Sequence, residues 1–180
     1  MTLSTMPYCD QPFEYRLQGA MGETSEKIFV KVAESCGCIV ERSGADKSRF
    51  DRRGMNRDLR YQPDFLIQTP DKRFFQVEVK GGNSDIVKLK LASIEAARFW
   101  HDLTPLCFFF ANTSTNGFSI LSLPEAEQTV HKDGVTIVRY EEDGNRYYAI
   151  PNELLFWRSI DAPLLQLSQH TGQAAKGTLP

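Results

Sequence analysis

Three residues near the middle of the chain have the types and the spacing for metal-assisted hydrolysis. Asp64 lies at the start of the apolar segment PDFLIQT, and Glu78 and Lys80 lie at the end of a second one, FFQVEVK. Because side chains alternate across a strand, Glu78 and Lys80 share one face if the second segment is a β-strand. Two carboxylates can hold a hard divalent cation through oxygen, and a nearby lysine can orient or deprotonate a water molecule. The pattern indicates attack of water on a phosphodiester.

The two segments that carry these residues are predicted to form a β-hairpin. The strands are expected at 63–69 and 74–80, and the intervening PDKR has Pro and Asp where a tight turn favours them. In an antiparallel pair, the start of the first strand meets the end of the second. The hairpin is therefore expected to bring Asp64 close to Glu78 and Lys80.

The rest of the chain predicts an α/β fold with a mixed central sheet flanked by helices and a C-terminal β-hairpin and helix extension. The continuous apolar run LCFFFA at 106–111 is typical of a strand that is covered on both faces. The other expected elements are helices at 25–35, 85–103, 125–131 and 152–159, and strands at 38–42, 117–123, 135–140 and 146–150.

Length and composition favour a single globular domain. The chain has 180 residues, of which 41% are hydrophobic and 24% charged, and these values argue against a mainly disordered protein. We expect a loose or strand-like lead-in at 1–21, a domain at 22–165 with its core at about 22–123, and a flexible tail at 166–180. Neither a membrane span nor a secretory signal is apparent, so we expect a cytoplasmic protein without a membrane partner, nucleoid-associated or in a phage-infected cell.

Charge is distributed unevenly along the chain. The formal net charge is −2, yet residues 41–100 carry 13 basic and 9 acidic side chains. Such a positive middle is consistent with a local site for a polyanion. A polar segment before the first predicted hairpin strand contains most of these cations, and two more lie early on the helix expected at 85–103. The residues expected to contact nucleic acid are Arg42, Lys47, Arg49, Arg52, Arg53, Arg57, Arg60, Lys88 and Lys90. The alternative is a solvated loop with internal ion pairs and a solvated helix face.

The spacing of the acidic residues and the lysine resembles the signature of a known enzyme family. Pro63–Asp64, followed after 13 residues by Glu78–Val79–Lys80, resembles the motif of the PD-(D/E)XK nuclease superfamily, which has the restriction-endonuclease-like fold. The resemblance implies a Mg²⁺-dependent DNA endonuclease in which Mn²⁺ can substitute. It implies that Asp64 and Glu78 hold the metal together with the Val79 carbonyl. Lys80 would position the attacking water and stabilise charge on the phosphate.

The resemblance covers about residues 22–111 and extends to two further features. In many members the leading helix supplies another acid, and Glu26, at the margin of the predicted buried stripe, is preferred here as a catalytic and metal-binding residue over Glu23. Arg42–Ser43–Gly44 resembles the Arg-Ser-(Ala/Gly) of junction resolvases, which adds Ser43 to the expected nucleic-acid contacts.

Three functions remain open from the sequence. The first is structure-selective cleavage of branched DNA, as by a Holliday-junction resolvase, which would act as a homodimer because it must cut two strands. The second is a sequence-specific, defence-related or exonucleolytic nuclease of the same superfamily, acting on duplex DNA. The third, from a different class, is a non-catalytic nucleic-acid-binding adaptor that keeps the fold.

Overall fold

The computed structural model describes residues 13–44, 61–82, 85–139 and 144–161, with side chains described from residue 22 onward. Its helices and strands are, in chain order, α1 (Phe13–Ser35), β1 (Ile39–Arg42), β2 (Phe65–Gln68), β3 (Phe74–Gly82), β4 (Ile86–Lys90), α2 (Leu91–Leu103), β5 (Leu106–Asn112), β6 (Gly117–Ser122), α3 (Leu123–Thr129), β7 (Thr136–Arg139), β8 (Arg146–Pro151) and β9 (Arg158–Ser159). A short 3₁₀ helix, Asn152–Leu154, lies between β8 and β9.

The larger of two sheets contains the predicted hairpin as its second and third strands. Its six strands have the order β1-β2-β3-β5-β6-β9. β2 and β3 are antiparallel, with Phe65 opposite Val77, whereas β3 and β5 are parallel. The remaining neighbours in this sheet pair antiparallel. The structure thus confirms the hairpin and the mixed central sheet flanked by helices.

Two apolar cores cover the two faces of this sheet. On one face, α1 packs Phe29 against Phe65 and Phe109, with ring centroids 5.0 and 5.1 Å apart. On the other face, Phe108 and Phe110 pack among residues of α2, α3, β4 and β8. All seven residues of β5 are buried. The predicted strand covered on both faces is therefore confirmed, and β5 holds its neighbour β3 in the middle of the protein.

The prediction of a long helix at 85–103 is wrong for the N-terminal end of that range. Residues Ile86–Lys90 form β4, and the helix α2 begins only at Leu91. β4 pairs antiparallel with β8 in a three-stranded sheet of order β4-β8-β7, which contains the predicted C-terminal hairpin of β7 and β8. The physical reason is that pairing with β8 favours a strand here, and the alternation from Val87 to Lys90 then buries Val87 and Leu89 on one side of it.

Two other expected boundaries differ from the structure. α1 begins at Phe13 instead of 25, so residues 13–21 are helical and not a loose or strand-like lead-in. The helix expected at 152–159 is limited to one 3₁₀ turn, and the last residues of this range pair with β6 as β9.

The flexible tail expected at 166–180 lies outside the described residues. Within the part of the chain that the structure describes, no helix has the length and apolar character needed to cross a membrane.

Candidate active site

The end of β3 presents a carboxylate and an ammonium on one face of the sheet. Glu78 and Lys80 alternate with the buried Val77 and Val79, so they project away from α1. Lys80 Nζ lies 2.5 Å from Glu78 Oε1, and the two side chains remain 25% and 19% exposed. This partial exposure leaves the pair open to solvent on the face of β3 opposite its buried residues.

Asp64 joins this pair from the neighbouring strand. It directly precedes β2, and the register that places Phe65 opposite Val77 places Asp64 on the Glu78 side of the hairpin. The backbone N–H of Val79 donates a 2.8 Å hydrogen bond to Asp64 Oδ2. The structure therefore brings Asp64, Glu78 and Lys80 together.

The charge state of Lys80 follows from its surroundings. Burial by itself lowers the pKa of Lys80, but the carboxylates of Glu78 and Asp64 and the hydrogen bond to Glu78 outweigh burial, so that the pKa is raised above its ordinary value of 10.5. Lys80 is therefore an ammonium at neutral pH. In this state it can donate hydrogen bonds and stabilise negative charge, whereas it cannot accept a proton from water.

The oxygen atoms at this site fit a hard divalent cation. The carboxylates of Asp64 and Glu78 are such ligands, and Mg²⁺ is commonly bound by one or two carboxylates while water fills its remaining positions. The carbonyl of Val79 is the expected third protein ligand. It points to the same side of β3 as the Val79 N–H, which is the side of Asp64. Among the described residues, no group of three or more His, Cys, Asp and Glu side chains is placed to hold a metal ion.

Glu26 does not form a group of possible metal ligands with these two acids in the part of the chain that the structure describes. It projects from α1, which covers the opposite face of the sheet. Its Oε2 lies 2.8 Å from Nη1 of Arg42, whose guanidinium also stacks 5.8 Å from the centre of the Phe65 ring. The structure thus pairs Glu26 with Arg42 and does not bring it into one cluster with Asp64 and Glu78.

The residues expected to contact nucleic acid fall into three groups. Arg42 is half-exposed in its pair with Glu26, and Ser43 lies beside the backbone of Pro63. Lys88 and Lys90 lie on β4, not on a helix, and both project from the face opposite Val87 and Leu89. The other six cations lie outside the described residues, namely Lys47, Arg49, Arg52, Arg53, Arg57 and Arg60.

Two residues that the sequence analysis did not assign to the site lie beside it. Tyr61 and Glu78 line one small pocket, whose other walls are formed by Pro63, Ser93, Ala97, Leu106 and Phe108. Gln76 precedes Glu78 by two residues and so shares its face, and its side-chain oxygen is buried without a hydrogen-bond partner among the described residues. The alternation of side chains along β3 could have placed Gln76 on the same face as Glu78. No feature of the sequence distinguished Tyr61 from a packing residue.

Comparison with known proteins found similar solved structures. No protein-family model matches the chain, and no curated protein matches its sequence. One similar solved structure is Hjc, a Holliday junction resolvase from the archaeal hyperthermophile Archaeoglobus fulgidus. Its TM-score is 0.47 at 11% sequence identity, over 74% of this chain and 85% of that chain.

A second similar solved structure is a nuclease from a fusselovirus. Its TM-score is 0.46 at 12% identity, over 80% of this chain and 87% of that chain.

Proposed function

We propose that this protein is a Mg²⁺-dependent nuclease that hydrolyses phosphodiester bonds of DNA. The observation that supports the proposal most is the convergence of Asp64, Glu78 and Lys80 at the open end of the β2–β3 hairpin. Two acids beside a lysine that stays protonated form a site that binds a cation and a phosphate together. If Glu78 and Lys80 formed only a structural ion pair at the surface, the hydrogen bond from the Val79 backbone on the same strand to Asp64 would not be required.

Each residue has a defined part in the proposed reaction. Asp64 and Glu78 would hold Mg²⁺ with the Val79 carbonyl, and a bound Mg²⁺ would polarise the phosphate and acidify water. The Lys80 ammonium would orient the attacking water and stabilise the negative charge that develops on the phosphate. The carboxylates of Glu78 and Asp64 raise the pKa of Lys80 against the effect of burial, and so favour its charged form. Glu26 would contribute through water or at a second ion, since it is paired with Arg42.

The proposed substrate is DNA bound through its phosphates. Lys88 and Lys90 are two residues apart on a strand and therefore point in one direction, as a surface that follows a nucleic-acid backbone requires. Residues 41–100 as a whole also carry an excess of positive charge, which favours contact with phosphates. Within this class we favour branched DNA, because Arg42–Ser43–Gly44 resembles the corresponding residues of junction resolvases. Such an enzyme would act inside cells as a homodimer with two sites.

Two alternatives make different predictions. A nuclease of linear DNA would use the same site but would show no preference for a branch point. An adaptor would bind nucleic acid with a strong dependence on salt, yet it would not need two carboxylates that converge on a cation.

Cleavage assays with the purified protein test the proposal. A four-way junction, a flap, a linear duplex and single-stranded DNA are each incubated with and without Mg²⁺ or Mn²⁺, and Lys80→Ala serves as the inactive control. We expect metal-dependent, paired nicks near the branch point that are absent in the variant. Cleavage of linear DNA alone would support the first alternative. Salt-sensitive binding with no cleavage of any substrate would support the adaptor.

A further inference from the structure

Asp64 is held by its backbone as well as by its carboxylate. The backbone N–H groups of Ser43 and Gly44 both donate to the carbonyl of Asp64, at 3.0 and 3.1 Å. The Ser43 hydroxyl donates to the carbonyl of Pro63 at 2.8 Å. These are the carbonyls of the two peptide groups on either side of the Asp64 Cα. Since peptide groups are planar, hydrogen bonds to both of them restrain the two backbone dihedrals of Asp64.

This arrangement has the hydrogen-bond pattern of a β-bulge. β1 pairs with β2 up to Arg42 opposite Phe65, and then two residues, Ser43 and Gly44, face the single residue Asp64. A bulge ends regular pairing and changes the direction of the side chain opposite to it, and bulges are frequent beside active sites. We call these two residues the Ser43–Gly44 bulge.

Gly44 permits a close approach that another residue would prevent. A Cβ atom at this position would lie 3.0 Å from the Cα of Asp64 and 3.3 Å from the carbonyl oxygen of Pro63. Both contacts involve backbone atoms, which cannot rotate away as the end of a side chain can. A side chain at position 44 would therefore displace Asp64 by a few tenths of an ångström.

We propose that the Ser43–Gly44 bulge is a positioning element that fixes Asp64 for metal binding. Val79 holds the carboxylate from β3, while the bulge holds the backbone from β1, so three strands determine where this carboxylate lies. Ser43 acts through Asp64 in this proposal and does not contact the substrate, in contrast to the nucleic-acid contact expected from the sequence. The inference rests on the proposed function, because it assigns Asp64 to a metal site.

Two matched pairs of variants and one reference variant test the role of the bulge. Ser43→Ala removes a 2.8 Å hydrogen bond to a carbonyl, and Ser35→Ala removes a bond of the same length to the carbonyl of Val32 in α1. Gly44→Ala introduces the contact with Asp64, whereas Gly22→Ala introduces a Cβ with nothing within 4 Å. Asp64→Asn gives the reference for an altered carboxylate.

Two readouts distinguish positioning from general stability. The first is the Mg²⁺ concentration that half-saturates cleavage, together with Mn²⁺ binding measured without DNA. We expect Ser43→Ala and Gly44→Ala to raise the half-saturating Mg²⁺ concentration and the Mn²⁺ dissociation constant by roughly tenfold to a hundredfold, with cleavage largely recovered at high metal concentration. The second is the amide resonance of Val79 without metal, which we expect to move in these two variants in the direction set by Asp64→Asn. The two control variants should change neither readout.

The outcomes also separate this inference from the proposed function. A wild-type metal requirement and a wild-type Val79 resonance in both bulge variants would overturn the positioning role. Weaker DNA binding with an unchanged metal requirement would overturn it as well, because Ser43 would then contact the substrate. If the wild-type protein neither cleaves DNA nor binds Mn²⁺, the proposed function fails and this inference fails with it. If Gly44→Ala does not fold, the result for Ser43→Ala decides.

Discussion

The Glu26 carboxylate lies 2.8 Å from the Arg42 guanidinium, and this pair links the leading helix to the last residue of β1. The side chain of Arg42 is 54% exposed and that of Glu26 is 22% exposed. Solvent therefore weakens their attraction, and such pairs are worth no more than about 1 kcal/mol. Glu26 can leave Arg42 at small cost when a cation or a phosphate competes for either partner.

Glu26→Gln should reduce cleavage less than Glu78→Gln does. The reason is that Glu26 lies on the α1 side of the sheet, outside the group formed by Asp64, Glu78 and Lys80. The measurement is the single-turnover cleavage rate at saturating Mg²⁺, with the exposed Glu34→Gln as the control on the same helix. Equal losses in the two site variants would show that Glu26 binds the catalytic ion directly.

Lys80→Ala should lower the cleavage rate by at least about 100-fold, a contribution typical of one positioned catalytic group. The fold and most of the DNA binding should remain, because the Lys80 side chain is partly exposed and not a core residue. The rate is measured beside circular dichroism spectra and DNA binding, and the exposed Lys132→Ala is the control for loss of one positive charge. A purified Lys80→Ala protein that cleaves at the wild-type rate would contradict the site assignment.

Lys88→Ala and Lys90→Ala should each weaken DNA binding for all sequences alike. If each lysine neutralises one phosphate, each substitution makes the negative slope of log affinity against log salt less steep by about 1. The slope is measured by titration of a labelled duplex and a labelled junction at several salt concentrations. Lys132→Ala again provides the control, and an unchanged slope in both β4 variants would remove this strand from the DNA-binding surface.

The thiol of Cys107 should be unreactive in the native protein. Burial in β5 raises the pKa of Cys107 to about 12 from an ordinary value of 9.0. The group is therefore protonated in the folded state at a pH where the unfolded state has already lost the proton. The part of the free energy of unfolding that depends on the protonated Cys107 thiol is present in full below about pH 9 and is lost as the pH rises towards 12.

Alkylation by iodoacetamide at pH 8, read by peptide mass spectrometry, tests this prediction. Cys107 should be labelled only after unfolding in urea, whereas Cys36, which is partly exposed, should be labelled in the native protein. Rapid labelling of native Cys107 would contradict the buried position of β5.

Phe109→Ala should destabilise the protein by about 3–5 kcal/mol, the usual cost of removing a large buried aromatic side chain. Phe109 is 1% exposed and packs against Phe29 and Phe118, next to the strand that carries Glu78. The free energy of unfolding is measured by urea denaturation. Phe156, which is 73% exposed, provides the control, because its replacement by Ala should cost no more than about 1 kcal/mol.

The amino-acid sequence was sufficient to predict those parts of the fold that depend on local pattern. The apolar run at 106–111 could only be satisfied by burial on both faces, and the hairpin of β2 and β3 followed from its turn residues and from the alternation along FFQVEVK. The same alternation placed Glu78 and Lys80 on one face, and antiparallel pairing placed Asp64 near them. These features need only neighbouring residues or one short turn.

Other features depend on partners that are distant in the chain. The segment IVKLK fits a helix or a strand by its composition, and only pairing with β8, more than 50 residues later, makes it β4. The pairing of Glu26 with Arg42 depends on which face α1 covers, and the approach of Gly44 to Asp64 depends on three strands meeting at one point. The sequence by itself thus determined the residue types of the candidate site and the strands that carry them. Only the tertiary structure decided what holds Asp64 in place, because such contacts arise from the packing of separate elements.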